Sequence, residues 1–495
     1  MLILPLLSQH LTFPLLSVTL LVSFGSSMLY GYNLAVVNSP HIKAFYNATW
    51  SQRYGHELTP GPLTLLYSLT VSIFALGGLV GSLLVGMLVE RYGAALLLMH
   101  RVSSQAPFSP LPLPSQLFLS LPGICLSVVP LYLGEIAPKN LRGFLGLMPS
   151  IFICLGVFAA QVLSLPELLG EDRFWPLLLS VVVVPASLQL LLLHCFPESP
   201  RYLLIERNDV CGATKEQSQA PSLCHTDEHL PWDGETCEQR SLSSMEMVSV
   251  WQLLRDRSVH WQTLSVVVVN AGMQLSGIDA IWFYTNVIFE NVGIPVSQIP
   301  YTTVGTGAIE IIAGLIGVGR RPLIITGFCA MGICSAGITV SLLLQVGLDL
   351  LTPGVLEAPV PHILDLSLPS AAGVPFLMTA ELFTQSHRPA AYIVGGSLNW
   401  LCNFTIGFIF PFLQMSAGAF CYLVFCGVCL LVALYVYFII PETKNKTFME
   451  ISHIFATRRS VLSIPEGHGP AGASPEEATN MLRGLEHLSW EDRLR

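Results

Sequence analysis

The sequence predicts an all-α membrane protein made of two halves, each with six membrane-crossing helices. Of its 495 residues, 52% are hydrophobic and only 11% are charged, whereas about 25% of a soluble chain is charged. A soluble fold with so few charges would expose large apolar patches and aggregate. Long apolar runs and a repeated set of motifs complete the prediction.

Apolar runs of roughly 20 residues, the length needed to cross a bilayer as a helix, recur along the chain. Two further crossings are interrupted: one near 94–114, which is rich in proline, and one at 363–384, which contains Asp365, Pro369 and Pro375. Counting both gives twelve crossings, and a β-barrel is excluded because its segments would be short and alternating. The ten continuous runs are 15–37, 63–89, 117–134, 146–165, 174–195, 262–289, 302–318, 322–346, 390–412 and 418–440.

A polar insert divides the chain into its predicted parts. We expect an N-terminal six-helix half at 1–195, a cytoplasmic central loop at 196–261, a C-terminal six-helix half at 262–440 and a cytoplasmic tail at 441–495. When the spans alternate, most Lys and Arg residues fall on one side, which the positive-inside rule assigns to the cytoplasm together with both termini. Asn47 begins an Asn-Ala-Thr glycosylation acceptor in the first outer loop, consistent with this orientation.

The two halves repeat each other at the inner membrane surface. Glu135 and Arg142 follow the fourth span, and Glu381 and Arg388 follow the tenth at the same spacing. Residues seven apart lie two turns along one helical face, so the sequence predicts that each pair shares a face. The string PESPR closes the sixth span and PETK closes the twelfth. Repeats of six spans are the plan of major facilitator transporters.

These motifs resemble the facilitative sugar transporters, solute carrier family 2, within the major facilitator superfamily. The resemblance implies a twelve-span major facilitator fold that works by alternating access, with no cofactor and no metal. Compared with that family, the third and eighth spans are short and the tenth is irregular. The matching strings are YGYN at 30–33, PLYLGEIAP at 130–138, PESPRYLL at 197–204, QLSGIDAI at 274–281, RPAA at 388–391 and PETKNKTF at 441–448.

The resemblance also narrows the substrate. Asn270-Ala271-Gly272 stands where glucose-selective members carry Gln-Leu-Ser, and this is similar to the class that contains fructose transporters. We therefore expect a hexose, with fructose ahead of glucose. Two strings, IKAFYN at 42–47 and AIWFYTN at 280–286, resemble the urate-transporting member, so a urate uniporter is the alternative. A transport-inactive protein, caused by the shortened spans, is a second alternative.

A neutral hexose needs amide and carboxylate side chains with an aromatic wall, and polar residues inside spans are the candidates because facing lipid would be costly. Asp279 replaces the family's usual amide. Glu310 stands where many members have Asn, either in the pocket or in proton linkage. The resemblance assigns substrate binding to Gln161, Gln274, Asp279, Glu310, Asn399 and Trp400, with Tyr32, Trp282 and Phe376 as aromatic wall or gate.

The resemblance further implies a cytoplasmic clasp of ion pairs that holds the outward-open state. Exposed pairs are individually weak, under about 1 kcal/mol, which suits a latch that must open. Its predicted members are Glu135, Arg142, Glu198, Arg201, Arg320, Arg321, Glu381 and Arg388.

The sequence argues against an enzyme. It contains no H-E-x-x-H metal motif, no nucleophile elbow and no phosphate-binding loop. The expected partners are a small-molecule substrate, hexose or urate, and the lipid bilayer, with no nucleic acid. We expect a multi-pass protein of the plasma membrane; the oligomeric state is not predicted.

Overall fold

The computed structural model describes fifteen α-helices in the ranges that it covers, and no strand in those ranges. The chain separates into two compact units, Met1–Phe448 and Met449–Arg495, and every helix named below belongs to the first. The described residues are 13–38, 40–92, 122–136, 141–171, 173–193, 248–291, 294–315, 320–351, 378–379, 381–384, 386–443, 450–451 and 454–455.

The N-terminal half contributes the first eight helices. A π-helical turn, Ser23–Ser27, joins α1 to α2, and α7 and α8 together form the crossing predicted at 174–195. That crossing is interrupted just before Pro185, which lacks the N–H that a continuous helix would use. The helices are α1 Phe13–Val22, α2 Met28–Val36, α3 Pro40–Tyr54, α4 Pro60–Tyr92, α5 Pro122–Ile136, α6 Arg142–Leu163, α7 Trp175–Ser180 and α8 Val183–Leu193.

The C-terminal half follows a short helix, α9, which lies in the predicted central loop. Ser249 and Gln252 form a capping box that starts α9. A 3₁₀ turn, Gly418–Phe420, joins the last two helices. The helices are α9 Val250–Arg255, α10 His260–Leu275, α11 Ile278–Asn291, α12 Ile299–Leu315, α13 Arg320–Leu351, α14 Arg388–Ala417 and α15 Cys421–Ile439.

Each of the ten continuous apolar runs contains a helix within its described residues. Within the described residues, six helical stretches are long and apolar enough to cross a membrane, among them Pro60–Val85, Arg321–Leu343 and Arg388–Ile439. The eighth crossing is described over α12, Ile299–Leu315; the short span predicted there ends at 318, outside the described residues. The crossing predicted near 94–114 lies outside the described residues, as does most of the one at 363–384.

One detail of the repeat is wrong. The sequence predicts that Glu135 and Arg142 share a helical face, but α5 ends at Ile136 and α6 begins at Arg142. Glu381 likewise lies before α14, which begins at Arg388. The seven-residue spacing between Glu and Arg in each motif therefore spans a connection that leads into the next helix, rather than two turns of one helix.

Glycine allows close helix packing in the N-terminal half. A Cβ on Gly31 of α2 would lie 2.0 Å from the Ile153 carbonyl oxygen of α6, and one on Gly156 would lie 2.1 Å from that of Met28. Small residues let membrane helices approach this closely. Because lipid is as apolar as the helices, their association is driven by van der Waals packing rather than by the hydrophobic effect.

The helix α14 lies between the two halves and packs against both α4 and α10. A Cβ on Gly396 would lie 3.2 Å from Ser82 Oγ of α4, and one on Gly395 would lie 2.9 Å from Val266 of α10. Because α14 reaches both halves, its buried polar face is placed at the centre of the bundle.

The seventh crossing is broken between α10 and α11. Gly277 has φ of 88° at the break, a left-handed conformation that glycine adopts without the steric cost of a side chain. A Cβ at this position would also lie 2.5 Å from the ring of Phe425. The break turns the polar side chains on either side of it towards α14.

Candidate functional site

Two side-chain amides on α10 and α14 form the core of the site. Gln274 Nε2 donates to Asn399 Oδ1 at 2.9 Å, and both side chains are buried, with 1% and 0% exposure. Gln274 Oε1 and Asn399 Nδ2 have no hydrogen-bond partner. Buried polar atoms are normally paired, so this free acceptor and free donor suit a hydroxyl, which can donate to one and accept from the other.

Asp279 lies in the first turn of α11 and contacts α14. Asn403 Nδ2 donates to Asp279 Oδ2, and Asn403 Oδ1 is a buried atom without a partner. Since Asn403 is one helical turn after Asn399, the two amides share a face of α14. The sequence analysis omitted Asn403 from the site, although its four-residue spacing from Asn399 is a usable signal.

Trp400 forms an aromatic wall with residues of the N-terminal half. Its ring contacts Tyr30 at 5.7 Å and Phe74 at 5.9 Å between centroids, both edge-on. A Cβ on Gly78 would lie 2.3 Å from the indole, so only glycine leaves room for it. Trp400 Nε1 has no partner, which leaves a donor at the edge of the wall.

A second polar group lies where α6 packs against α12. Cys154 Sγ donates to Glu310 Oε1 at 3.7 Å across this seam. Gln161 Oε1 has no partner, and a Cβ on Gly307 would lie 2.1 Å from that atom. The structure thus brings Gln161 and Glu310 to one helix pair, while Gln274, Asp279, Asn399 and Trp400 surround another.

The predicted aromatic residues have different surroundings. Tyr32 is buried and donates to the Leu178 carbonyl at 2.7 Å, which ties it to α7 rather than to the amide cluster. Trp282 is buried on α11, and its Nε1 has no partner. Phe376 lies outside the described residues.

The C-terminal end of α11, which is predicted to face outward, is joined to the N-terminal half. Asn286 Nδ2 donates to the Asn38 carbonyl at 2.8 Å. The Tyr67 hydroxyl lies 3.3 Å from the Phe283 carbonyl and 3.2 Å from that of Val37. These contacts join the two halves, and the sequence analysis did not predict them because backbone carbonyls carry no sequence signal.

Charged side chains make two further contacts in the described part of the chain. Lys43 Nζ lies 4.7 Å from the centroid of the Tyr67 ring; burial lowers the pKa of Lys43, and Glu290 opposes that shift. The Tyr301 hydroxyl donates to Glu167 across the two halves, and this bond lowers the pKa of Glu167.

Three residues of the predicted cytoplasmic clasp, Arg321, Glu381 and Arg388, make hydrogen bonds within the C-terminal part of the chain, and their role in a clasp stays a prediction. Arg321 N–H donates to Glu442 Oε2 at 3.1 Å, and Thr443 Oγ1 donates to Glu381 Oε2 at 2.5 Å. Arg388 Nε donates to the Phe383 carbonyl at 3.0 Å.

The sequence analysis missed Glu442, although it lies in the PETK string that repeats PESPR. Glu198 and Arg201 lie outside the described residues, and only the backbones of Glu135, Arg142 and Arg320 are described. Those three residues stay predictions as members of the clasp.

The glycosylation candidate lies on α3. Asn47 Oδ1 accepts from the Leu58 backbone N–H at 3.0 Å. This bond uses the oxygen of the amide, whereas a glycan is attached to the nitrogen. Glycosylation of Asn47 remains a prediction.

Comparison with known proteins identifies the family of the chain. The family model described as "Sugar (and other) transporter" matches residues 18–103 and 121–455. The Homo sapiens protein "Solute carrier family 2, facilitated glucose transporter member 9" is 45% identical over 466 residues, which cover 90% of this chain and 86% of that protein. Member 5 of the same family from Homo sapiens is 40% identical over 476 residues, covering 92% and 94%.

Solved structures confirm the predicted major facilitator fold. The proton:xylose symporter XylE bound to 6-bromo-6-deoxy-D-glucose superposes with a TM-score of 0.69 at 20% identity, covering 89% of this chain and 99% of that one. XylE from E. coli in an inward-open conformation gives 0.59 at the same identity and coverage. At this level of identity the likeness establishes the fold alone.

Proposed function

Because the chain belongs to the sugar transporter family, within solute carrier family 2, we propose that it carries a hexose across the plasma membrane by alternating access, fructose in preference to glucose. The family consists of transporters rather than enzymes. The observation that supports a hexose best is the buried amide pair, in which Gln274 Oε1 and Asn399 Nδ2 are left for a ligand.

The binding strength expected from this site suits a carrier. Each net hydrogen bond contributes only about 1 kcal/mol, so a few such bonds give roughly millimolar affinity, about −4 kcal/mol. Trp400 supplies an apolar face for the sugar ring and an indole N–H at its edge. Weak binding by several partners allows release on the opposite side of the membrane.

In the proposed cycle, the contacts on the outer side and those on the inner side close the two sides of the protein in turn. The bonds from Asn286 and Tyr67 close the outer side, and they must break when the halves rock to admit substrate from outside. The inner network around Arg321 and Glu442 lies at the opposite surface. Each contact is weak enough for the halves to exchange between the two closures.

Uptake of labelled substrate in cells expressing the chain, normalised to surface protein, tests the proposal. Fructose, glucose and urate are compared, with Asn399→Ala and Gln161→Ala as binding variants. We expect saturable fructose uptake that both variants reduce. Saturable urate uptake without hexose uptake would establish the urate alternative. Surface protein that moves none of the three would show the chain to be inactive in transport and contradict the proposal.

The proposed orientation, with both termini in the cytoplasm and α3 outside, has a separate test. Asn47→Gln removes the glycan acceptor but also disturbs the bond to Leu58, whereas Thr49→Ala destroys the acceptor and keeps that bond. If α3 is outside, both variants lose the same glycosidase-sensitive mass on a gel. An unchanged mass in both variants would remove this support for the orientation.

A further inference from the structure

The ten continuous apolar runs contain carboxylate side chains but no Lys or Arg. Within the ten continuous apolar runs, Asp279 and Glu310 are the carboxylates, and neither Lys nor Arg occurs. From Ser258 to Thr443 the only basic residues of these two types are Arg320, Arg321 and Arg388, each within two residues of the start of a helix. No Lys or Arg in the C-terminal spans is therefore available to neutralise Asp279.

Asp279 has a position that matters for charged ligands. It lies in the first turn of α11, directly after the break at Gly277. The N-terminal end of a helix carries a partial positive charge, and broken helices of transporters use such ends to hold the anionic groups of their substrates. In this chain a carboxylate of the protein itself already occupies that end.

The surroundings of Asp279 connect it to the amide cluster. Its described partner is the amide of Asn403, which has 0% exposure and whose Oδ1 has no partner. Asn403 in turn shares a face of α14 with Asn399. Burial opposes ionisation of Asp279, whereas the N-terminal end of α11 and the amide N–H of Asn403 favour it. The negative charge of the ionised carboxylate acts one helical turn from the unpartnered amide atoms, in surroundings with little water, where charges interact strongly.

We propose that Asp279 selects the charge of the substrate, so that the site admits neutral hexoses and hexoses with a protonated amino group and rejects anions such as urate. The inference rests on the proposed function, because it concerns the same site. Amino sugars are thereby a further substrate class. An anion would be repelled by the carboxylate, whereas an ammonium group would be attracted to it.

The test compares labelled fructose, urate and glucosamine in the wild-type chain and in Asp279→Asn. The substitution keeps the shape of the side chain and removes its charge. Glu57→Gln, which removes an exposed carboxylate on the outer side, is the matched control. All uptake values are normalised to surface protein, and the readout is the ratio of each charged substrate to fructose within one variant.

We expect wild-type uptake of urate to be at least about tenfold below that of fructose. In Asp279→Asn the urate-to-fructose ratio should rise at least about tenfold and the glucosamine-to-fructose ratio should fall several-fold. Glu57→Gln should leave both ratios unchanged. Unchanged ratios in Asp279→Asn, or a wild-type chain that prefers urate, would overturn the inference.

A second measurement covers a variant that binds but does not transport. Thermal stabilisation of the purified protein by the same three compounds reports binding directly, because a ligand stabilises the folded state that binds it. Relative to fructose, stabilisation by urate should rise and stabilisation by glucosamine should fall in Asp279→Asn compared with the wild-type chain. If the relative stabilisation by the three compounds is the same in both proteins, the inference is contradicted. If the wild-type chain neither transports nor binds fructose, the proposed function itself is contradicted. If the chain transports fructose but Asp279→Asn leaves charge selection unaltered, only the inference about Asp279 is contradicted.

Discussion

The first crossing of each half is interrupted near its middle, but the two interruptions serve different ends. In the N-terminal half the π-helical turn at Ser23–Ser27 directs Ser26 onto Gln189 of α8, with hydrogen bonds of 2.8 and 3.0 Å. In the C-terminal half the chain breaks at Gly277, and Gln274 leaves a polar atom without a partner.

The difference shows that a repeated sequence plan does not imply repeated roles. At the first interruption Ser26 is paired with Gln189 of its own half, so this pair stabilises the fold, although Ser23 Oγ is buried without a partner. Polar groups around the second contact α14 and retain hydrogen-bonding capacity, so they are available to a ligand. The N-terminal half contributes mainly the rings of Tyr30 and Phe74, and Gln161 on its α6.

The largest effect is expected from the break itself. Gly277→Val places a side chain at φ of 88° and within 2.5 Å of Phe425, so both backbone strain and overlap oppose folding, together by more than about 2 kcal/mol. We expect loss of surface protein and a clearly lower melting temperature. Gly427→Ala on α15, where a Cβ meets nothing within 4 Å, is the control and should behave like wild type.

The second effect concerns the amide pair. Asn399→Ala removes the partner of Gln274 Nε2 and a donor to the substrate, and an unpaired buried group costs about 1–3 kcal/mol. Fructose uptake at low concentration should fall about 10- to 100-fold, with surface protein retained. A variant with normal uptake would exclude the amide pair from the site.

The third effect sharpens the contrast between the interruptions. Gln189→Ala removes the partner of Ser26, and we expect a loss of about 1–2 kcal/mol in stability, read as a lower melting temperature. The substrate concentration at half-maximal uptake should stay within about twofold, since the pair does not bind substrate. A large change in that concentration with unaltered stability would assign Gln189 to the site instead.

The smallest effect lies at the exposed contact between the halves. Tyr301→Phe removes the bond to Glu167, and the change in uptake should stay under about threefold because exposed pairs contribute little. The bond lowers the pKa of Glu167, so its stabilisation is present at neutral pH and is lost as the pH falls through that lowered pKa. Melting temperatures of the two proteins should therefore converge in acid; a difference that grows in acid contradicts this sign.

Hydropathy predicts the crossings well because a helix in lipid must be apolar over its whole length. The helix α4 at Pro60–Tyr92 extends the predicted run 63–89 by three residues at each end. The break at Gly277 was not predicted, since the run 262–289 is continuous in hydropathy and a single glycine does not reveal its φ. The ring that packs against the break belongs to Phe425, which lies far away in the sequence.

The site was predicted as a set of residues but not as an arrangement. Gln274 and Asn399 were both identified, yet their mutual hydrogen bond depends on how α10 and α14 pack. Tyr32 was assigned to the wall because it is an aromatic residue in a span, but its hydroxyl reaches the Leu178 carbonyl. A backbone acceptor of this kind has no signature in the sequence, and neither do the outer contacts of Asn286 and Tyr67.

Counterflow in vesicles reconstituted with the purified chain tests the central claim, an alternating-access hexose carrier, most directly. Vesicles are loaded with unlabelled fructose and diluted into a trace of labelled fructose. A carrier with one site exposed alternately to each side predicts transient accumulation of label above its outside concentration, reduced in Asn399→Ala. Label that never exceeds the outside concentration, from protein shown to be folded by its melting transition, would contradict the account.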